Sequence, residues 1–164
     1  MAKVLVIYHS DTGNTRKMAE LITSGAAGVE GVEAEMASIS EVTADQIGAA
    51  DAVAMGSPTY YGTMSWQMKQ FTDTFRADFN GKLGTAFASA AWPGGGGYEL
   101  VEFALIAAML IKGMVIYTGG VVNGMPPTHF GAVSRQAPQG FDVERCEKLR
   151  SEERRVGKEC RSRW

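Results

Sequence analysis

Apolar residues fall in short unbroken runs, each followed by a stretch whose apolar positions recur at helical spacing. Val4-Leu5-Val6-Ile7-Tyr8 precedes Met18, Ala19, Leu21 and Ile22, and Ala52-Val53-Ala54-Met55-Gly56 precedes Met68 and Phe71. Runs of that length without alternation read as parallel strands buried on both faces. The pattern predicts strands at 3–8, 33–37, 52–56, 83–88 and 114–117, and helices at 15–28, 43–47, 65–74, 98–112 and 142–149. Such alternation gives an α/β three-layer sandwich, a five-stranded parallel sheet with helices on both faces and right-handed crossovers. The expected strand order is 2-1-3-4-5. Residues 1–149 read as one domain without repeats.

The fourth helix breaks the pattern. From Leu100 to Ile111 only Glu102 is polar, so no stripe is reserved for water. Leu100, Phe103, Leu105, Ile106, Met109 and Leu110 cover more of its circumference than one sheet can take, and Leu105 and Met109 are expected to face outward. Either the 118–140 segment or a second subunit covers it. The subunit contact is the reading preferred, giving a homodimer or homotetramer through Leu100–Ile111.

Three loops carry the chemistry, because ligands of open parallel sheets bind outside the carboxyl ends of the strands. Ser10-Asp11-Thr12-Gly13-Asn14-Thr15 joins the first strand directly to a helix. Unpaired amides at the helix start, its dipole and three hydroxyls suit a terminal phosphate, and Gly13 lets the backbone come close. The same residues would also serve an ordinary capped helix. Neither GxxxxGK[ST] nor GxGxxG is present, which excludes those nucleotide cradles. After the third strand, Pro58, Thr59, Tyr60, Tyr61, Gly62 and Thr63 offer stiff, aromatic-bearing backbone for a flat ring. After the fourth, Ala90, Ala91, Trp92, Pro93, Gly94 and Gly95 add an indole and closely approaching amides.

Charge and cysteines narrow the classes. The chain has 16 basic and 18 acidic residues, net −2. The last fifteen, RSEERRVGKECRSRW, hold six basic and three acidic residues and almost nothing apolar. They resemble a translated sequencing-library adapter, so 150–164 is read as a non-native tail on a last helix that naturally runs further. The remainder holds ten basic and fifteen acidic residues, net −5, which argues against nucleic-acid binding. Cys146 has no internal disulfide partner within 1–149, in keeping with a reducing cytoplasm. The chain opens on a strand without room for a signal peptide, no apolar run reaches membrane-spanning length, and no Cys, His and Asp spacing indicates a metal.

The stretches SDTGNTRKMAE (Ser10 to Glu20), GSPTYYGTMSWQMKQFTD (Gly56 to Asp73) and GGGGYE (Gly94 to Glu99) resemble the flavodoxin family of FMN proteins. Within it the chain looks most similar to NAD(P)H:quinone oxidoreductases of the tryptophan-repressor-binding-protein type. An insertion those enzymes carry between the second and third strands is missing. The resemblance implies a flavodoxin-like fold and FMN, its phosphate on Ser10 to Thr15 and its ring between 58–63 and 90–95. It implies hydride transfer from NAD(P)H to FMN and two electrons on to a quinone; the alternative is a flavodoxin-type electron carrier without turnover of its own. His129 matches the family's Pro-Tyr-Gly-Ala stretch near the flavin and is the candidate catalytic group, able to hydrogen-bond a quinone oxygen.

Overall fold

The computed structural model describes residues 1–92, 96–122 and 124–149. Strand β1 (Ala2–Tyr8) lies centrally, paired in parallel with β2 (Val32–Ser38) on one side and β3 (Ala52–Tyr60) on the other. Beyond β3 come β5 (Leu83–Ala90) and the short β6 (Val115–Ile116), and the order along the sheet is β2-β1-β3-β5-β6. The short β4 (Thr63–Met64) folds back on β3 as a hairpin. The expected parallel α/β order holds, with two differences of detail at β3 and at the fifth position.

The fifth position is shared. Strand β6 (Val115–Ile116) pairs with Leu83 and Gly84, and β7 (Gly131–Arg135) pairs with Ala86 to Ala90. The expected single strand at 114–117 is therefore only the first half, and part of the segment read as a loop is the second half. Residues 118–122 leave the sheet and residues 124–130 return to it. The excursion is closed at its base, where Thr118 Oγ1 donates to the His129 carbonyl at 2.6 Å and Thr128 Oγ1 to the Thr118 carbonyl at 2.6 Å. From the last helical stretch, residues 141–149, Arg145 Nε donates to the Pro127 carbonyl at 3.1 Å, and Lys148 Nζ donates to that of Met125.

Helices α2 (Ala44–Ala49), α3 (Trp66–Thr74) and α4 (Tyr98–Ile111) share one apolar core with the sheet, built on Leu5, Ile7, Val53, Met55, Met68, Leu105 and Met109. Helix α1 (Asn14–Ala27) and residues 141–149 share the other, with Val4, Val6, Met18, Ile22, Phe87 and Cys146. Strand residues alternate between the two cores, which is why the runs show no polar positions. Burial pushes the Cys146 thiol up to about 12, so it stays protonated and unreactive.

The phase of α4 differs from expectation. Leu105 and Met109 are fully buried against the sheet, whereas Leu100, Phe103, Leu110 and Ile111 are exposed. Phe130 of the excursion reaches Phe103, ring centroids 4.4 Å apart, and so covers part of that face.

Candidate cofactor crevice

The first loop turns on Gly13, whose φ of 89° is the left-handed conformation glycine adopts without strain. Gly13 is also the N-cap of α1, and no side chain caps that helix. Its carbonyl accepts from Lys17 N at 3.0 Å, so helical bonding begins beyond Arg16. The first-turn amides of Asn14, Thr15 and Arg16 thus face the loop with the positive end of the helix dipole. Ser10 Oγ accepts from Gly13 N at 3.1 Å, which leaves the Ser10 hydroxyl proton to donate outward. Asn14 Nδ2 reaches Thr12 Oγ1 at 3.4 Å.

Thr15 is placed differently. Its hydroxyl is buried 2.8 Å from Ser89 Oγ at the end of β5. Ser89 rather than open space is its neighbour, so Thr15 ties the phosphate loop to the fourth-position strand and offers its amide to an anion.

Beside this loop, β3 runs further than its apolar run indicated. Thr59 pairs with Met64 and Tyr60 with Thr63 around a two-residue turn, Tyr61-Gly62, with φ of 48° and 78°. Positive φ at both turn positions matches the twist of a tight hairpin. Its base is pinned by buried serines: Ser65 N donates to Ser57 Oγ at 3.0 Å, and Ser65 Oγ caps α3 by accepting from Met68 N at 3.2 Å. Thr59 Oγ1 is buried here without a hydrogen-bond partner. A buried unpaired hydroxyl is costly unless something else meets it. Tyr61, Trp66 and Trp92, all at this edge of the sheet, are 107%, 70% and 75% exposed.

Opposite the hairpin, Ala90 and Ala91 are held from the fifth position. Gln136 N donates to the Ala90 carbonyl at 2.7 Å, and its side-chain amide reaches the Ala91 carbonyl at 3.5 Å. Gln136 and Arg135 stand at the crevice edge and went unnoticed in the sequence, because nothing local marks 131–135 as a strand end. Pro93, Gly94 and Gly95 lie outside the described residues. The structure does not bring His129 to the crevice. It closes the base of the excursion, donating its N–H to the Gly120 carbonyl at 3.0 Å, and β7 has still to run from Gly131 to Arg135 before the edge is reached.

A second polar link joins the first two loops. Tyr60 Oη donates to Asp11 Oδ2. His9 Nε2 stands 3.2 Å from Asp11 Oδ1, within ion-pair reach but off the line of a hydrogen bond. The bond to Asp11, with some burial, holds the Tyr60 phenol above its usual range.

Uncapped amides on one loop, a buried orphan hydroxyl on the next and exposed aromatic rings on the loops at the same sheet edge define a class: doubly wound α/β proteins that grip a phosphorylated, flat-ringed ligand at the switch point of the sheet. A flavodoxin family model matches residues 6–110, and the chain belongs to that family. FMN is the family's cofactor, and the crevice fits it. A flavodoxin of Aquifex aeolicus is 38% identical over 156 residues, covering 91% of this chain and 83% of the relative. An NAD(P)H dehydrogenase (quinone) of Archaeoglobus fulgidus is 30% identical over 181 residues, covering 88% and 91%. The solved structure of an archaeal flavodoxin superposes with a TM-score of 0.77 at 28% identity, covering 95% of this chain and 99% of that one.

Proposed function

We propose that the protein is an FMN-dependent oxidoreductase that takes hydride from NAD(P)H and passes two electrons to a quinone or a similar small, flat acceptor. The observation that carries this reading is that large aromatics, Tyr61 and Trp92, stand exposed on the loops that follow β3 and β5. Large exposed aromatics beside a crevice receive flat organic molecules. A dedicated carrier instead docks protein partners through dense charge, and a net −5 over residues 1–149 supplies little of it. Relatives named for the quinone reaction support the reading.

FMN when bound supplies the hydride and electron chemistry. The chain's own residues bind and orient. Ser10 and the amides of Asn14, Thr15 and Arg16 would hold the phosphate, Thr59 Oγ1 would meet a polar edge of the ring, and Ala90 and Ala91, held by Gln136, would lie along its other side. His129 has no part in this scheme.

The carrier reading draws on relatives of 38% and 35% identity that are named flavodoxin. Steady-state oxidation of NADH and NADPH with benzoquinone separates the two. A quinone-dependent rate is expected. No rate, together with a one-electron reduced form that persists through a reductive titration, would establish the carrier. Assembly through the exposed face of α4 and residence in the cytoplasm belong to the same proposal; among the described residues, no helix is long and apolar enough to cross a membrane.

A further inference from the structure

We propose that Asp11 and Tyr60 form a strap across the mouth of the crevice that retains the cofactor, with His9 orienting the carboxylate to which the strap is tied. The inference rests on FMN as the ligand of this crevice. Asp11 belongs to the loop that faces the phosphate, and Tyr60 is the last residue of the strand that leads to the ring-side hairpin. They lie 49 positions apart in sequence, and Tyr60 Oη donates directly to Asp11 Oδ2. Their bond therefore bridges the phosphate-side loop and the ring-side hairpin directly.

The bond sits on the solvent side. Tyr60 is 41% exposed and the Asp11 side chain 43%, whereas the backbone beneath is tied strand to strand through His9 N and the Gly56 carbonyl at 3.1 Å. Tyrosine suits such a span, since its ring is rigid and only two torsions need fixing. His9, with its side chain only 15% exposed, faces the other carboxylate oxygen and limits how Asp11 can turn. The arrangement also gives the one carboxylate in the cradle loop partners other than the incoming anion. Both strap residues are accessible, so either can let go for entry without unpacking the core.

A strap acts on escape more than on capture. Release of FMN and of riboflavin can be followed by flavin fluorescence in the wild type, Tyr60→Phe, Asp11→Ala and the double variant, each checked for an unchanged melting profile. An ionic hydrogen bond corresponds to about tenfold or more in a rate, so each single variant is expected to release both flavins about that much faster. The double variant is expected to be no faster than the singles, the signature of one shared interaction. In the ligand-free protein, amide exchange across the 58–63 hairpin is expected to rise in both singles. The strap is overturned by unchanged release rates, or by additive effects of the two changes. It is equally overturned if Asp11→Ala tightens FMN and leaves riboflavin untouched, which would make the carboxylate a mere source of repulsion. Failure of the wild type to bind FMN would instead overturn the cofactor assignment, and it shows before any variant is made.

Discussion

Glu102 enters the core of α4 with Oε1 unpaired and so close to Gly131 that a Cβ added there would stand 2.5 Å from it. Burial, reinforced by Glu99 and opposed by Arg145, pushes its carboxyl up to about 8. Below the ordinary value of 4.5 the group is neutral in the folded and unfolded chain alike, and folding gains its full stability. As pH climbs from 4.5 towards 8, the unfolded chain ionises first and that stability is progressively lost. Glu102→Gln is expected to match the wild type in denaturant titrations near pH 4 and to exceed it near pH 9, by as much as about 5 kcal/mol. Thr59 gives a test of opposite signs. Thr59→Val removes a buried hydroxyl without a partner, so the ligand-free protein is expected to melt higher. FMN affinity is expected to fall about tenfold, ~1.4 kcal/mol, because the ring loses a donor at its polar edge. Thermal melts and fluorescence titration measure the two.

The hairpin and the divided strand show how elements depart from what their residues announce. Tyr61 occupies a left-handed turn position that Asn or Gly takes more readily. Tyr61→Asn is therefore expected to stabilise the protein by about 1 kcal/mol while raising KM for a quinone, since the ring at the mouth is lost. A rise in melting temperature with unchanged KM would assign Tyr61 to the turn alone. Strands β1 and β3 were legible because burial on both faces leaves an unbroken apolar run, and β5 because its residues are small or apolar and uncharged. The cradle loop was legible from its hydroxyls and from the glycine that starts the helix. The phase of α4 was not: a helix apolar all round has no polar stripe to fix its rotation, so Leu105 and Met109 could not be told from Leu110 and Ile111. Strand β7 was hidden because Gly-Ala-Val-Ser-Arg is short and mixed, and its place is set by pairing with Ala86 to Ala90. Without β7, the sequence puts His129 at the crevice and gives no sign of Gln136.

At the scale of the whole molecule, Leu110 and Ile111 on the outer face of α4 are 54% and 88% exposed, beside Val115 at 50%. An apolar patch of this kind is the surface that the proposed assembly would bury. Leu110→Glu is expected to shift the protein to monomers in light scattering while FMN binding is retained; a wild type already monomeric would remove the assembly from the proposal. The sheet has a further property, seen in its register. Gly84 faces Ile116 and Ala86 faces Gly131, so a single residue opposite Thr85 would splice β6 to β7 into one continuous strand. Residues 117–130 are in that sense a cassette. The frame that grips the cofactor is complete on either side of it, and a chain in which the cassette is cut out and replaced by one residue is expected to keep its circular dichroism and its flavin. Lineages can therefore lengthen, shorten or rewrite that surface without disturbing the crevice.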